Sequence, residues 1–169
     1  MRPDPIMDPN EIDCSKIVID LEGIKKINAH RFEMLQLDAI VHLDLEKDII
    51  VGFKDQRLDE FWVRGHLPGY PLMPGVLMLE AAAQLCSIFT WEKKISDKII
   101  GLGGFDVVKF RDRVFPGDRL VLMCSGKKLN RRACTFYANG FVGSTMVFHA
   151  EILGMPIMER KDVMKDGML

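Results

Sequence analysis

Residues 76 to 94 read VLMLEAAAQLCSIFTWEKK. The run has no glycine or proline and is rich in Leu, Met and Ala, so it predicts a helix. Pro74, just ahead, stands where proline is tolerated at a helix start. The constraint on the fold is that this helix is apolar nearly all round, and such a helix must be buried. A bilayer is a poor cover for it. Val76 to Trp91 is short for a span, and an acid such as Glu80 at a bilayer centre costs roughly 2.5–3.5 kcal/mol.

The flanking sequence supplies strands to cover it. LEGIKKINAHRF (21–32) carries Leu21, Ile24 and Ile27 at spacing three, a short amphipathic helix. The period then changes to two. MLQLDAIVHLDLEKDIIVGFKD reads as two strands turning at Glu46-Lys47-Asp48, and EFWVRGH suggests another short strand. After the long helix come IIGLGGFDVVKF, RLVLMCSGKKL, RACTFYANGFV and STMVFHAEIL, separated by FPGD, LNR and Gly143. These runs read as an antiparallel meander. The fold class is α+β, a sheet wrapped on a central helix. A loose Pro/Asp-rich lead occupies residues 1–12, a single domain 13–158 and a charged, frayed tail 159–169.

Composition narrows the function classes. The chain has 169 residues, one domain's length, and 48% are apolar, enough for a core. A net charge of -1 sets up no global field toward nucleic acid or an anionic membrane. Cys14, Cys86, Cys124 and Cys134 form no CxxC pair and no zinc-ligand spacing. They read as free, mostly buried thiols in a reducing compartment. The start has no signal-peptide pattern, so a soluble cytoplasmic protein is expected.

The stretch RGHLPGYPLMPGVLMLEAAAQL (64–85) concentrates the chemistry. Glu80, Gln84 and Ser87 fall at i, i+4 and i+7 of the helix, one narrow polar stripe. Either the stripe touches solvent, or it holds a carboxylate in an apolar pocket. In the second case desolvation raises the pKa of Glu80 and makes it a proton donor near neutral pH. His66 stands between Gly65 and a loop stiffened by Pro68-Gly69, Pro71 and Pro74-Gly75. Gly75 opens the helix, where its N–H is an orphan donor and the dipole favours negative charge. A base, an acid and a preorganised N–H suffice for proton abstraction beside a carbonyl.

These residues carry a resemblance. Gly65, His66, Pro68, Gly69, Pro71, Met73, Pro74, Gly75, Val76, Leu77, Glu80, Ala81, Ala83 and Gln84 closely resemble the signature of FabZ-type 3-hydroxyacyl-acyl-carrier-protein dehydratases, relatives of FabA with the hotdog fold. AHRFEMLQLD (29–38) and GFDVVKFRDRVFPGD (104–118) resemble further parts of that family, so the similarity spans roughly residues 20 to 155. Ala29, Glu33-Met34 and Leu67 depart from its pattern, and Tyr70 fills a variable position.

The resemblance implies a hotdog fold and reversible dehydration of a (3R)-hydroxyacyl thioester to a trans-2-enoyl thioester in fatty acid or related lipid synthesis. It implies His66 as base or proton shuttle, and Glu80, from the other subunit of a dimer, at the 3-hydroxyl. The Gly75 N–H would polarise the thioester carbonyl, and Gln84 would support the helix stripe. No metal or organic cofactor is implied beyond the phosphopantetheine of the substrate's acyl carrier protein. The expected assembly is a homodimer or a trimer of dimers. Lys109, Arg111 and Arg113 alternate at period two, either as a solvated sheet face or as a basic ridge that docks the acidic carrier. His30 reads as structural; His42 and His149 read as solvated or satisfied-core residues. A hotdog acyl thioesterase and a non-catalytic acyl-binding hotdog protein are the alternatives; His66 in its loop argues against the first, and intact His66 and Glu80 against the second.

Overall fold

The structure is a computed structural model describing residues 3–164. The apolar run forms helix α2, Gly75–Glu92, with Met78, Leu79, Ala82, Leu85, Ile88 and Phe89 all buried. Around it wraps one antiparallel sheet of six strands: β1 (Ala39–Asp44), β2 (Ile49–Asp55), β3 (Lys98–Phe110), β4 (Arg119–Leu129), β5 (Cys134–Val142) and β6 (Thr145–Glu159). A short helix α1, Leu21–Ile27, buries Ile24 and Ile27 on the same core.

Strand alternation sorts the side chains. Ile50, Leu120, Leu122, Cys124, Phe136, Ala138, Ala150 and Ile152 point at the helix, while Val51, Phe53, Met123, Phe141 and Met146 form a second cluster on the outer face. Gly52 lets β2 pass close under the helix. A Cβ there would stand 2.7 Å from the Ala39 carbonyl oxygen and 3.2 Å from Leu85 Cδ1.

Four sequence expectations need correction. The sheet order is β1-β2-β4-β5-β6-β3, so only β4–β5–β6 is a meander. The central helix crosses the sheet and delivers the chain to the far edge, where β3 pairs with the fifteen-residue β6. The outer edge of β3 has no strand neighbour among the described residues. EFWVRGH is a series of turns, not a strand. Val63 N–H bonds to the Glu60 carbonyl at 3.0 Å and Gly65 N–H to that of Trp62 at 3.1 Å, because Trp62 is drawn into the core.

The lead is not loose from residue 3 onward. Ile6, Met7 and Ile12 cover the outer cluster, and the Ile6 N–H donates to Asn139 Oδ1 at 2.9 Å. Apolar residues within the Pro/Asp-rich lead give it something to bury. The tail is likewise docked as far as Met164. It forms a single turn, α3 (Arg160–Val163), and Arg160 Nη2 donates to the carbonyls of Lys26 at 3.0 Å and Ile27 at 2.5 Å. Its guanidinium also lies 4.1 Å from the centre of the Trp91 ring. Residues 165–169 of the expected tail lie outside the described residues.

The Gly52→Val substitution should overpack the helix–sheet contact and lower stability by about 1–3 kcal/mol. A fall in the urea midpoint at unchanged m-value would register it.

Candidate active site

The loop that carries His66 is held from below. Lys54, 3% exposed, lies 3.0 Å from Glu60 and 3.4 Å from Asp38. Asp38 also accepts the Asp55 N–H at 2.8 Å. Removing one partner of such a buried pair costs about 3–5 kcal/mol, because it strands the other charge. Glu60 starts the turns that end at His66, whose N–H bonds to the Trp62 carbonyl at 2.8 Å.

Beyond His66 the chain makes a tight return. Leu67 and Tyr70 exchange backbone hydrogen bonds of 3.1 and 2.9 Å, and the Leu72 N–H reaches back to the His66 carbonyl at 2.8 Å. The His66–Leu67 peptide is cis. The ring is pinned by the same loop, with Nδ1 2.6 Å from the Leu72 carbonyl oxygen. A carbonyl only accepts, so Nδ1 carries the hydrogen. Nε2 is left with a lone pair able to take a proton.

Gly75 begins α2; the Leu77 N–H bonds to the Pro74 carbonyl at 2.9 Å, while the Gly75 N–H, at the first helical position, has no acceptor within the helix. The edge of Phe110 fills the space a side chain would need: a Cβ at Gly75 would stand 2.7 Å from that ring. A larger residue at Gly75 would have to displace the Phe110 ring.

Glu80 lies at one end of a largely apolar cavity of about 340 Å³ between α2 and strands β3 and β6. His30, Gln84, Cys86 and Ser87 line it too, and His66 does not. Within one chain, His66 and Glu80 therefore do not face the same cavity. Gln84, 1% exposed, is fully used. Its Nε2 donates to Glu80 Oε1 at 2.8 Å and to the Met34 carbonyl at 2.7 Å, and its Oε1 accepts the Gln36 N–H at 2.9 Å.

His30, expected to be structural, points Nε2 at Glu80 Oε1 across 3.3 Å. A carboxylate accepts, so Nε2 carries the hydrogen, and the buried Nδ1 has no partner among the described residues. This overturns the expected rise in the Glu80 pKa. Burial does push the carboxyl up, but the hydrogen bond from His30, reinforced by Gln84, outweighs it and holds the group below its ordinary value. In the single chain these hydrogen bonds favour the ionised form of Glu80. The AHRF match singled out His30, but nothing in the sequence linked it to a residue fifty positions away.

The basic ridge does not form as a strand face. Strand β3 ends at Phe110, so only Lys109 lies on it. Arg111 Nε donates to His149 Nδ1 at 3.0 Å, and Arg113 Nη1 donates to the Tyr70 hydroxyl at 3.0 Å. Arg113 thus sits on the His66 loop, while Arg111 turns to the outer sheet face. His149 is satisfied and 8% exposed; burial and the cations beside it hold its pKa below the usual imidazole value.

Among the described residues, no cluster of three or more His, Cys, Asp or Glu is placed to hold a metal ion. None of their helices is long and apolar enough to cross a membrane.

A FabA-like domain family model matches residues 28–151, which takes in the His66 loop, Gly75 and Glu80. The chain belongs to the FabA-like family. Its relatives include 3-hydroxyacyl-[acyl-carrier-protein] dehydratase FabZ of Streptococcus pneumoniae, 41% identical over 106 residues, covering 62% of this chain and 74% of that one. The bifunctional enzyme LpxC/FabZ of Chlorobaculum tepidum is 34% identical over 148 residues, 86% of this chain. The chain spans only 31% of that bifunctional protein's length. Two solved structures share the hotdog fold. One is the dehydratase heterocomplex ApeI:P from Xenorhabdus doucetiae, with TM-score 0.67 and 14% identity over 79% of this chain and 90% of that one. The other is a hypothetical thioesterase with coenzyme A from Streptococcus pneumoniae, with TM-score 0.55 and 11% identity over 71% and 85% of the two chains.

For this FabA-like domain, His30→Ala removes the largest influence that lowers the Glu80 pKa and leaves desolvation in place. The Glu80 titration should therefore move to higher pH, read by carboxyl ¹³C NMR. Gln84→Leu should move it the same way by less.

Proposed function

We propose that the chain is a hydro-lyase that reversibly dehydrates (3R)-hydroxyacyl thioesters, carried on acyl carrier protein, to trans-2-enoyl thioesters in fatty acid or related lipid synthesis. The observation that carries the reading is a pair of prepared groups in a FabA-like domain: an imidazole whose Nδ1 is engaged, and a carboxylate at the end of an apolar cavity. The names of the FabZ relatives support it.

Two chains complete one site. His66 does not line the Glu80 cavity of its own chain, and the open edge of β3 offers a twofold partner a place to pair. The acyl chain lies in the cavity, and the helix N-terminus at Gly75 receives the thioester oxygen as charge develops on it. His66 Nε2 takes the proton from C2. The electron pair forms the C2–C3 double bond, and the C3–O bond breaks with its pair going to oxygen. The imidazolium returns the proton to that oxygen, so water leaves and His66 is restored. Glu80, already ionised, accepts a hydrogen bond from the 3-hydroxyl and orients it. The scheme calls for no metal or organic cofactor beyond the phosphopantetheine arm, and fits a cytoplasmic homo-oligomer.

Hydration of crotonyl-carrier, followed by loss of enoyl absorbance, tests the activity. His66→Ala should lose roughly 10²–10⁴-fold; near-normal turnover in that variant would sink the assignment. Mixing His66→Ala with Glu80→Gln chains tests the shared site. Each heterodimer then holds one intact site and should recover about half the wild-type activity by twofold symmetry. Heterodimers verified by native mass spectrometry that stay dead would show sites built within single chains.

Arg113, seated on the His66 loop, is the best-placed carrier-docking group of the three basic residues. Arg113→Glu should depress kcat/KM for carrier-bound substrate more than for the matching pantetheine thioester. Equal losses on both would remove it from that role.

A further inference from the structure

We propose that the terminal turn α3 closes the far end of the acyl cavity, and that Val163, held there by Arg160, sets the longest acyl chain the site accepts. The inference rests on the dehydratase reading for the identity of the chain in the cavity, and on geometry for the rest.

The cavity has a direction. Phe110, at the end of β3, lies against Gly75 at the start of α2. Strand β3 begins at Lys98, just after α2 ends at Glu92. The strand therefore runs antiparallel along the helix, from Ile99 near the C-terminus of α2 to Phe110 near its N-terminus. Glu80 marks the reacting end. Ile99 and its register partner Met158, both lining the cavity, mark the distal end.

Val163 lines the same cavity. The turn that presents it is fastened to two helices. Arg160, three residues earlier, bonds to two carbonyls at the end of α1 and stacks on Trp91, one helical turn beyond the cavity-lining Ser87. The stack places α3 over the C-terminal end of the cavity, where an acyl terminus would arrive. The turn also lies beyond the residues 28–151 that match the family model, so this wall comes from outside the shared domain.

The reach follows from the helix. Glu80 and Ser87 are seven residues apart, about 10 Å along the axis. An extended alkyl chain covers that distance in roughly eight carbons on standard single-bond lengths. Beyond it the chain meets Val163, Ile99 and Met158.

The test uses the full chain and trans-2-enoyl-carrier thioesters of increasing length, reading kcat/KM for each relative to the four-carbon substrate. Val163→Phe should lower that ratio about tenfold or more for chains at the wild-type limit, the scale on which an apolar pocket resolves small changes in size. Val163→Ala and Arg160→Ala should move the limit to longer chains. A length profile unchanged in Val163→Ala would overturn the proposal, whether or not Val163→Phe folds. If the wild type turns over no enoyl thioester, the dehydratase reading fails. The proposal is then judged by calorimetric binding of acyl-pantetheine thioesters of the same lengths: a cutoff that shifts in Val163→Ala sustains it, and one that does not overturns it.

Discussion

The structure depends on the burial of one helix that has almost no polar face. A helix of that kind cannot lie on a surface, so the sheet must curl round it, and the inward alternation of β2, β4, β5 and β6 follows. The same constraint makes the site. The few polar groups on α2 cannot reach bulk water freely and must be answered locally. Gln84 is answered on every side, and Glu80 is answered by Gln84 and His30. A carboxylate in an apolar cavity is thereby held ionised by two neighbours instead of being neutralised by burial.

Much of this was legible in the sequence because periodicity reports burial. The helix, its Pro-Gly start, the strand pair turning at Glu46-Lys47-Asp48 and the stripe from Glu80 to Ser87 all follow from local pattern. What escaped was partnership. The alternation in β3 says that it is a strand, but not that it crosses to the far edge beside β6. His30 and Glu80 are fifty residues apart, and no spacing rule joins them. The charge state of Glu80 escaped for the same reason: desolvation could be expected from its apolar neighbours in sequence, whereas the opposing hydrogen bonds come from α1's exit and from the next turn of α2. Lys54 reads as one cation in a strand, and only the fold shows it buried beneath the turns that carry His66. EFWVRGH misled because a buried tryptophan makes a turn look like a strand.

The two ends of the chain extend this logic. The lead covers apolar side chains on the outer sheet face, and the terminal turn covers the end of α1 and the ring of Trp91. Both lie outside the segment shared with the family, and both seal surfaces that the wrapped sheet leaves bare.

Cys86 gives the cavity a further property. Its side chain lines the space on the same helix as Glu80, less than two turns farther on. An α,β-unsaturated thioester, the product of the proposed dehydration, is an electrophile toward sulfur, so a thiolate at that position would invite alkylation. Burial, with the Cys124 thiol beside it, pushes the Cys86 thiol well above its ordinary pKa and keeps it protonated. A protonated thiol is a poor nucleophile. On the proposed function, the apolar wall that suits an acyl chain also keeps this thiol in its unreactive form.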